Sequence, residues 1–262
     1  MATDSADAPK IVTVGEGFHV RQEVDNIAWI DLGEYAIVVD ALERAELEDE
    51  VFQSIRSTLG DRPVRYVLNT HTHYDHTALN AAFQRRCGSE VINRRTGRIP
   101  PDGRWFEGKR RKVLMLPAPG CHTDEDCVVW VPDDRALFVG DIFGWGLIPL
   151  SRRLNADSAK LLVDTYTRLI EFDASVVIPG HGPLCTTAEL KRWVAYFHWL
   201  AEQVRRACDA GKTDRQIADQ AAPPDDMKTW WRFLQWKHDD SLGKVLQAVR
   251  RGWKGPAATP SR

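Results

Sequence analysis

The sequence predicts an α/β fold followed by a helical carboxyl-terminal part, on three observations. Apolar runs of strand length alternate with amphipathic helical patterns as far as Pro183. The chain's clusters of metal-ligand side chains each follow directly on an apolar run, where α/β sheets place their sites. From Thr187 onward the spacing is helical only. With 262 residues and 43% hydrophobic content the chain can bury a substantial core. The domain organisation expected is a catalytic part over residues 1–186, a helical extension packed on it over 187–254, and a disordered tail over 255–262.

Taken in order, residues 11–14, 18–23 and 26–31 set apolar side chains between Gly and Asn/Asp breaks, as hairpin strands do. Residues 34–40 form a further strand ending on the carboxylate Asp40. Residues 43–59 repeat Leu47, Val51, Ile55 and Leu59 at four-residue intervals and close at Gly60, an amphipathic helix on a sheet. The run Val64-Arg65-Tyr66-Val67-Leu68 reads as a buried strand, and residues 79–86 as a short helix. Further strands are expected at 90–93, 112–117, 127–131 and 135–139, the last two joined across Pro132-Asp133-Asp134. A helix over 157–171 presents Leu161, Thr165 and Leu169 on one face, and 175–178 is a strand.

After the strand at 64–68 comes Asn69-Thr70-His71-Thr72-His73-Tyr74-Asp75-His76. A lone His beside an apolar run is ordinarily a hydrogen-bonded structural residue. Four ligand-type side chains at H-x-H-x-D-H spacing reverse that preference, because imidazole nitrogen and carboxylate oxygen suit zinc and similar divalent ions. One tetrahedral ion rarely uses all four, so the spacing points to two neighbouring ions with further ligands on later loops. Three such loops leave strands: Ala118-Pro119-Gly120-Cys121-His122, Gly140-Asp141, and Pro179-Gly180-His181-Gly182.

In this order the motifs resemble the ligand set of the metallo-β-lactamase-fold hydrolases, over residues 11–183. The resemblance implies a four-layer αβ/βα sandwich of two mixed sheets with helices outside and the metals at one edge. It implies two zinc ions, with iron or manganese as alternatives. His71, His73 and His122 would hold the first, Asp75, His76 and His181 the second, and Asp141 would bridge them. The activity implied is hydrolysis of an ester-type bond by a hydroxide shared between the ions, in the manner of the glyoxalase II and lactonase branch. Thioesters, lactones or other carboxylic esters rank ahead of phosphodiesters. Asp75 would ligate and also accept or return a proton, and Asp141 would hold the ions together. Mononuclear iron persulfide dioxygenases resemble the same motifs and are the alternative, as is a β-lactam hydrolase, although Cys or Ser typically stands near Asp141 in true β-lactamases. Asp40 is a candidate to orient a ligand from behind, or else a turn cap. Phe143 and Trp145, in the Gly-broken loop 142–150, are candidates to line a pocket for an apolar or acyl group, with core packing as the other reading.

Arg94 to Lys112 carry eight basic residues against Asp102 and Glu107, with Pro100, Pro101, Gly103 and Gly108 breaking regular structure. The segment is read as a solvated surface loop, and its sharper reading is a cationic rim for an anionic substrate. A net charge of −2 gives no global pull toward nucleic acid or membrane, and no apolar run approaches the ~20 residues of a membrane span. The partner expected is a small molecule. Five cysteines without C-x-x-C spacing and a polar amino terminus without signal-peptide zones point to the cytoplasm. In the carboxyl-terminal part Leu190, Val194, Phe197, Ala201, Val204 and Cys208 form one stripe, with short helices from Asp214, Asp225 and Ser241. Its six tryptophans are read as helix packing, a homodimer interface being the alternative.

Overall fold

The computed structural model describes residues 9–256. The readings of the polar amino terminus and of the disordered tail fall largely on residues 1–8 and 257–262, outside the described residues. The chain forms two compact units, the first running to Pro119 and adding Asp124–Ile142 and Ala174–Thr186, the second made of Gly120–Thr123, Phe143–Asp173 and the chain from Thr187.

The first unit holds two mixed sheets. One is ordered β1 (Lys10–Gly15), β2 (Phe18–Gln22), β3 (Ile27–Asp31), β4 (Ala36–Val39), β5 (Val64–Leu68) and β6 (Glu90–Ile92). Its first four strands are an antiparallel meander. The pairs β4/β5 and β5/β6 are parallel, and the crossovers that parallel pairing demands contain α1 (Glu48–Leu59) and α2 (Asn80–Cys87). The other sheet contains β7 (Arg104–Glu107), β8 (Lys112–Pro117), β9 (Cys127–Val131), β10 (Ala136–Gly140) and β11 (Val176–Pro179), ordered β11-β10-β9-β8-β7.

Alternation along the strands builds two cores. Ala28, Ile30, Ile37, Val39 and Leu68 pack with Val113, Met115, Val129, Phe138 and Ile178 of the other sheet. Ile27, Trp29, Ala36, Val38 and Val67 pack with Val51 and Ile55 of α1 and Ala82 and Phe83 of α2. Strands β3 and β4 are buried on both faces, which is why they read as continuous apolar runs. Each buried Val, Leu, Ile, Phe or Met among them contributes about 1.5–3 kcal/mol of hydrophobic stabilisation. Helix α1 starts at Glu48, later than the pattern suggested; a 3₁₀ turn occupies Ala45–Leu47, and Glu48, Asp49 and Glu50 then meet the positive end of the helix dipole.

The basic segment corrects the reading of a loop. β7 lies within it, pairing Phe106 with Val113, and Phe106 is buried in the core between the sheets. The glycines taken as breakers permit close approach instead: a Cβ on Gly108 would stand 2.1 Å from Leu32 O, and one on Gly103 2.7 Å from a Leu116 methyl. The charges are largely paired. Arg98 meets Glu90 at 2.5 Å, Arg110 meets Asp31 at 3.2 Å, the buried Arg111 meets Asp134 at 3.4 Å, and Lys112 meets Glu107 at 2.8 Å.

The second unit is helical: α3 (Ala156–Glu171), α4 (Thr187–Asp209), α5 (Asp214–Gln220) and α6 (His238–Arg250). Capping boxes start α3 (Asn155 with Ser158) and α5 (Thr213 with Gln216). The stripe on α4 is wider than the pattern suggested: Trp193, Tyr196, Leu200 and Ala207 are buried with it, whereas Val194 and Cys208 are only partly covered. On α3 the buried side holds Leu162, Val163 and Tyr166 rather than Leu161. The last helix starts at His238, continuing a π-helical turn over Phe233–Lys237, and the helix expected at Asp225 is one 3₁₀ turn, Asp225–Met227. Trp193 stacks between Tyr166 (ring centroids 4.0 Å) and Phe197 (5.4 Å) and donates its indole N–H to Leu147 O at 2.8 Å. Among the described residues no helix is long and apolar enough to cross a membrane.

Candidate metal centre

The site in the first unit is assembled where β4, β5, β10 and β11 end. Asp40 follows β4 with φ of 58°, a left-handed turn that Asp tolerates better than most residues. Its carboxylate accepts the backbone N–H of Thr70 at 2.7 Å and the Thr70 hydroxyl at 2.8 Å, and meets Nδ1 of the fully buried His76 at 2.8 Å. Asn69 fastens the same loop from the other side, donating to His76 O at 2.9 Å and exchanging amide bonds with Asn80. With an Nδ1–H on Asp40, His76 turns Nε2 toward Asp141 Oδ1, 3.3 Å away.

Asp75, His76, Asp141 and His181 then converge, one ligand atom from each lying within 4.8 Å of the others. His181 Nε2 is 3.2 Å from both Asp75 Oδ2 and Asp141 Oδ1. There is no room to spare: a Cβ at Gly180 would sit 2.2 Å from Asp141 Oδ1 and 2.8 Å from His76 Cε1. Burial by itself raises carboxylates and lowers imidazoles, but here the opposite charges prevail. Against burial, the His181 hydrogen bond and the His76 charge take Asp75 down to about 2. Against burial, Asp40 and Asp141 take His76 up to about 10. By the same opposition Asp141 lies well below the usual carboxylate range and His181 well above the usual imidazole range. Protons or a divalent cation can neutralise such a cluster, and two imidazole nitrogens with two carboxylate oxygens are a donor set that fits zinc and its neighbours.

His71 and His73 share the loop with this cluster. His71 is buried, its ring centroid 4.6 Å from that of His73 and 4.2 Å from that of His76, and its Nδ1 is 3.2 Å from Thr70 Oγ1. His122 belongs to the second unit, where Nδ1 meets Pro149 O at 2.8 Å and the backbone carbonyl accepts the Ser151 hydroxyl at 2.6 Å. Phe143 and Trp145 are also in the second unit. Both are buried, in one aromatic cluster with Trp230, at 5.9 Å and 5.6 Å respectively.

Three further residues near the centre belong to no ligand motif of the sequence. Asp25 Oδ1 lies 3.0 Å from His181 Nδ1, and Asn26 holds the His181 loop by bonds to Pro179 O, Gly180 O and Gly182 O. Glu125 accepts the Thr72 hydroxyl and pairs with Arg95. Asp25 and His181 are 156 residues apart, and no spacing rule joins them.

Comparison with known proteins agrees with this architecture. Among curated proteins, the chain is similar to a hydroxyacylglutathione hydrolase of Rhodospirillum rubrum, 32% identical over 128 residues, 45% of this chain and 48% of that protein. It is also similar to the 2,4-dinitroanisole O-demethylase subunit alpha of Nocardioides sp., 26% identical over 147 residues, 49% of this chain and 44% of that protein. The chain thus spans about half the length of these curated relatives. Among solved structures, a metallo-beta-lactamase from Pontibacter korlensis superposes with a TM-score of 0.59 at 20% identity, over 72% of this chain and 98% of that one, a likeness of fold. The family model of the metallo-beta-lactamase superfamily matches residues 21–113 and 92–181. That match runs from within β2 to His181, more than half of the sequence, and the chain belongs to the metallo-beta-lactamase superfamily.

Proposed function

We propose that this chain is a metal-dependent hydrolase of ester-type bonds, with thioesters and lactones ahead of phosphodiesters. The convergence of Asp75, His76, Asp141 and His181 carries the reading. In it, Asp75, His76 and His181 would hold one divalent ion and His71, His73 and His122 a second, with Asp141 a further ligand; zinc suits these donors best. Ions so bound polarise a carbonyl and lower the pKa of water from ~15.7 toward ~7.

The chain's own side chains do the positioning. Asp40 fixes which nitrogen of His76 is presented, and does so from a fully buried position. Asp141, with 13% of its side chain exposed and its carboxylate held well below the usual range, is a fixed negative charge at any working pH. Asp75 has 32% of its side chain exposed, the most of the four. Held at about 2 in the metal-free chain, it is anionic at neutral pH and available to ligate a cation.

The thioester preference is supported by the relative named hydroxyacylglutathione hydrolase. The test is Asp141→Asn and His122→Ala, assayed on thioester, lactone, phosphodiester and β-lactam substrates with metal content measured in parallel. Both variants should lose roughly 100-fold or more in kcat/KM, since even residues behind metal ligands are worth ~10–100-fold. Full turnover in both, with metal content unchanged, would overturn the assignment.

A further inference from the structure

Residues Val24, Asp25 and Asn26 form a short antiparallel bridge with the Pro179-Gly180-His181-Gly182 loop. Asn26 and the backbone do the fastening. Asn26 N–H donates to Gly180 O at 2.8 Å, its side-chain amide donates to Pro179 O at 2.9 Å and Gly182 O at 2.8 Å, and Gly182 N–H donates to Val24 O at 3.0 Å. Asp25 takes no part in that latch. Its side chain is 10% exposed, and the hydrogen bond it makes among the described residues is to His181 Nδ1, at 3.0 Å. Buried carboxylates are costly without such a partner, so the placement of Asp25 calls for a reason other than holding the loop.

We infer that Asp25 is a positioning residue for the metal centre: together with Val24 O, 3.2 Å away, it accepts His181 Nδ1–H at 3.0 Å, fixing the tautomer and ring so that Nε2 is offered beside Asp75 and Asp141. The inference rests on the metal-dependent reading above. Both imidazoles of this cluster are then backed by carboxylates, His76 by Asp40 and His181 by Asp25. A carboxylate behind an imidazole raises its basicity as a ligand, which strengthens this metal position.

The experiment is zinc and cobalt titration of the metal-stripped full chain, as wild type, Asp25→Ala, Asp25→Asn and Asn26→Ala, with the cobalt absorption spectrum and the melting temperature of the stripped protein recorded for each. Asp25→Ala should weaken one metal equivalent by ~10–100-fold and change the cobalt spectrum, while the stripped protein loses less melting temperature than Asn26→Ala does. Asp25→Asn keeps an acceptor without the charge and should fall between. Asn26→Ala, which removes the latch, should lower the melting temperature. Unchanged metal affinity in Asp25→Ala would overturn the inference. So would a fall in its melting temperature matching that of Asn26→Ala, which would make Asp25 a loop anchor. A wild type that takes up neither metal would instead overturn the metal-dependent reading itself, and the inference with it.

Discussion

Gly180 shows how narrowly the site is drawn at the level of single atoms. Gly180→Ala would drive a methyl to 2.2 Å from Asp141 Oδ1, so we predict a loss of metal affinity and turnover of at least ~10-fold with little change in far-ultraviolet circular dichroism; wild-type zinc binding in this variant would contradict the geometry. The charges of the metal-free site also set a pH dependence. His76, at about 10 in the folded chain against 6.5, stabilises the fold in full below pH 6.5, and this is lost as pH rises through about 10. Asp75, at about 2 against 3.8, stabilises above pH 3.8, and this is lost as pH falls through about 2. Urea midpoints of the metal-stripped protein should therefore be highest between about pH 4 and 6.5 and decline on either side, and a midpoint climbing steadily from pH 6.5 to 10 would contradict the assignment of these charges. Asp75, His76, Asp141 and His181 were legible in the sequence because each stands at or just beyond an apolar run, and the structure brings those four together. Asp25 was not, because its partner is 156 residues away and the contact exists only once β2 and β3 are placed beside the last strand's exit.

At the scale of elements, alternation and four-residue spacing found most strands and helices, and they failed where shape outweighed composition. β7 is four residues between glycines, too short for its period to show, and only its pairing with β8 buries Phe106. On α4 Trp193, Tyr196, Leu200 and Ala207 share the buried side, so a single stripe at three- and four-residue spacing misjudged its width. Trp193 and Trp236 separate the two roles a tryptophan can have in this part of the chain. Trp193→Ala, removing a fully buried ring stacked on Tyr166, should destabilise by about 3–5 kcal/mol in urea unfolding. Trp236, 47% exposed, should cost within about 0.5 kcal/mol when replaced by Ala. Equal losses at the two positions would contradict the packing described.

At the scale of the whole molecule, the class of fold was legible because two mixed sheets need many short apolar runs, and such runs cannot be hidden in a sequence. The composition of the second unit was not, since Phe143–Asp173 lies between segments of the first unit in the chain yet packs with the helices from Thr187 onward. Leu147 O accepts from Trp193, Ile148 N–H donates to Ser241, and Ile148 O accepts from Lys244. A chain ended at residue 186 would leave these groups and the face of α3 without partners, so it should be insoluble or rapidly proteolysed; a soluble, cooperatively melting product would contradict this. The central claim is that the chain works through divalent metal, and the most direct measurement is elemental analysis of protein purified without added metal, beside hydrolysis with and without a chelator. The account predicts about two zinc ions per chain and thioester or lactone hydrolysis that a chelator abolishes and zinc restores. Hydrolysis indifferent to the chelator in a metal-free chain, or about one iron per chain with no hydrolysis, would contradict it.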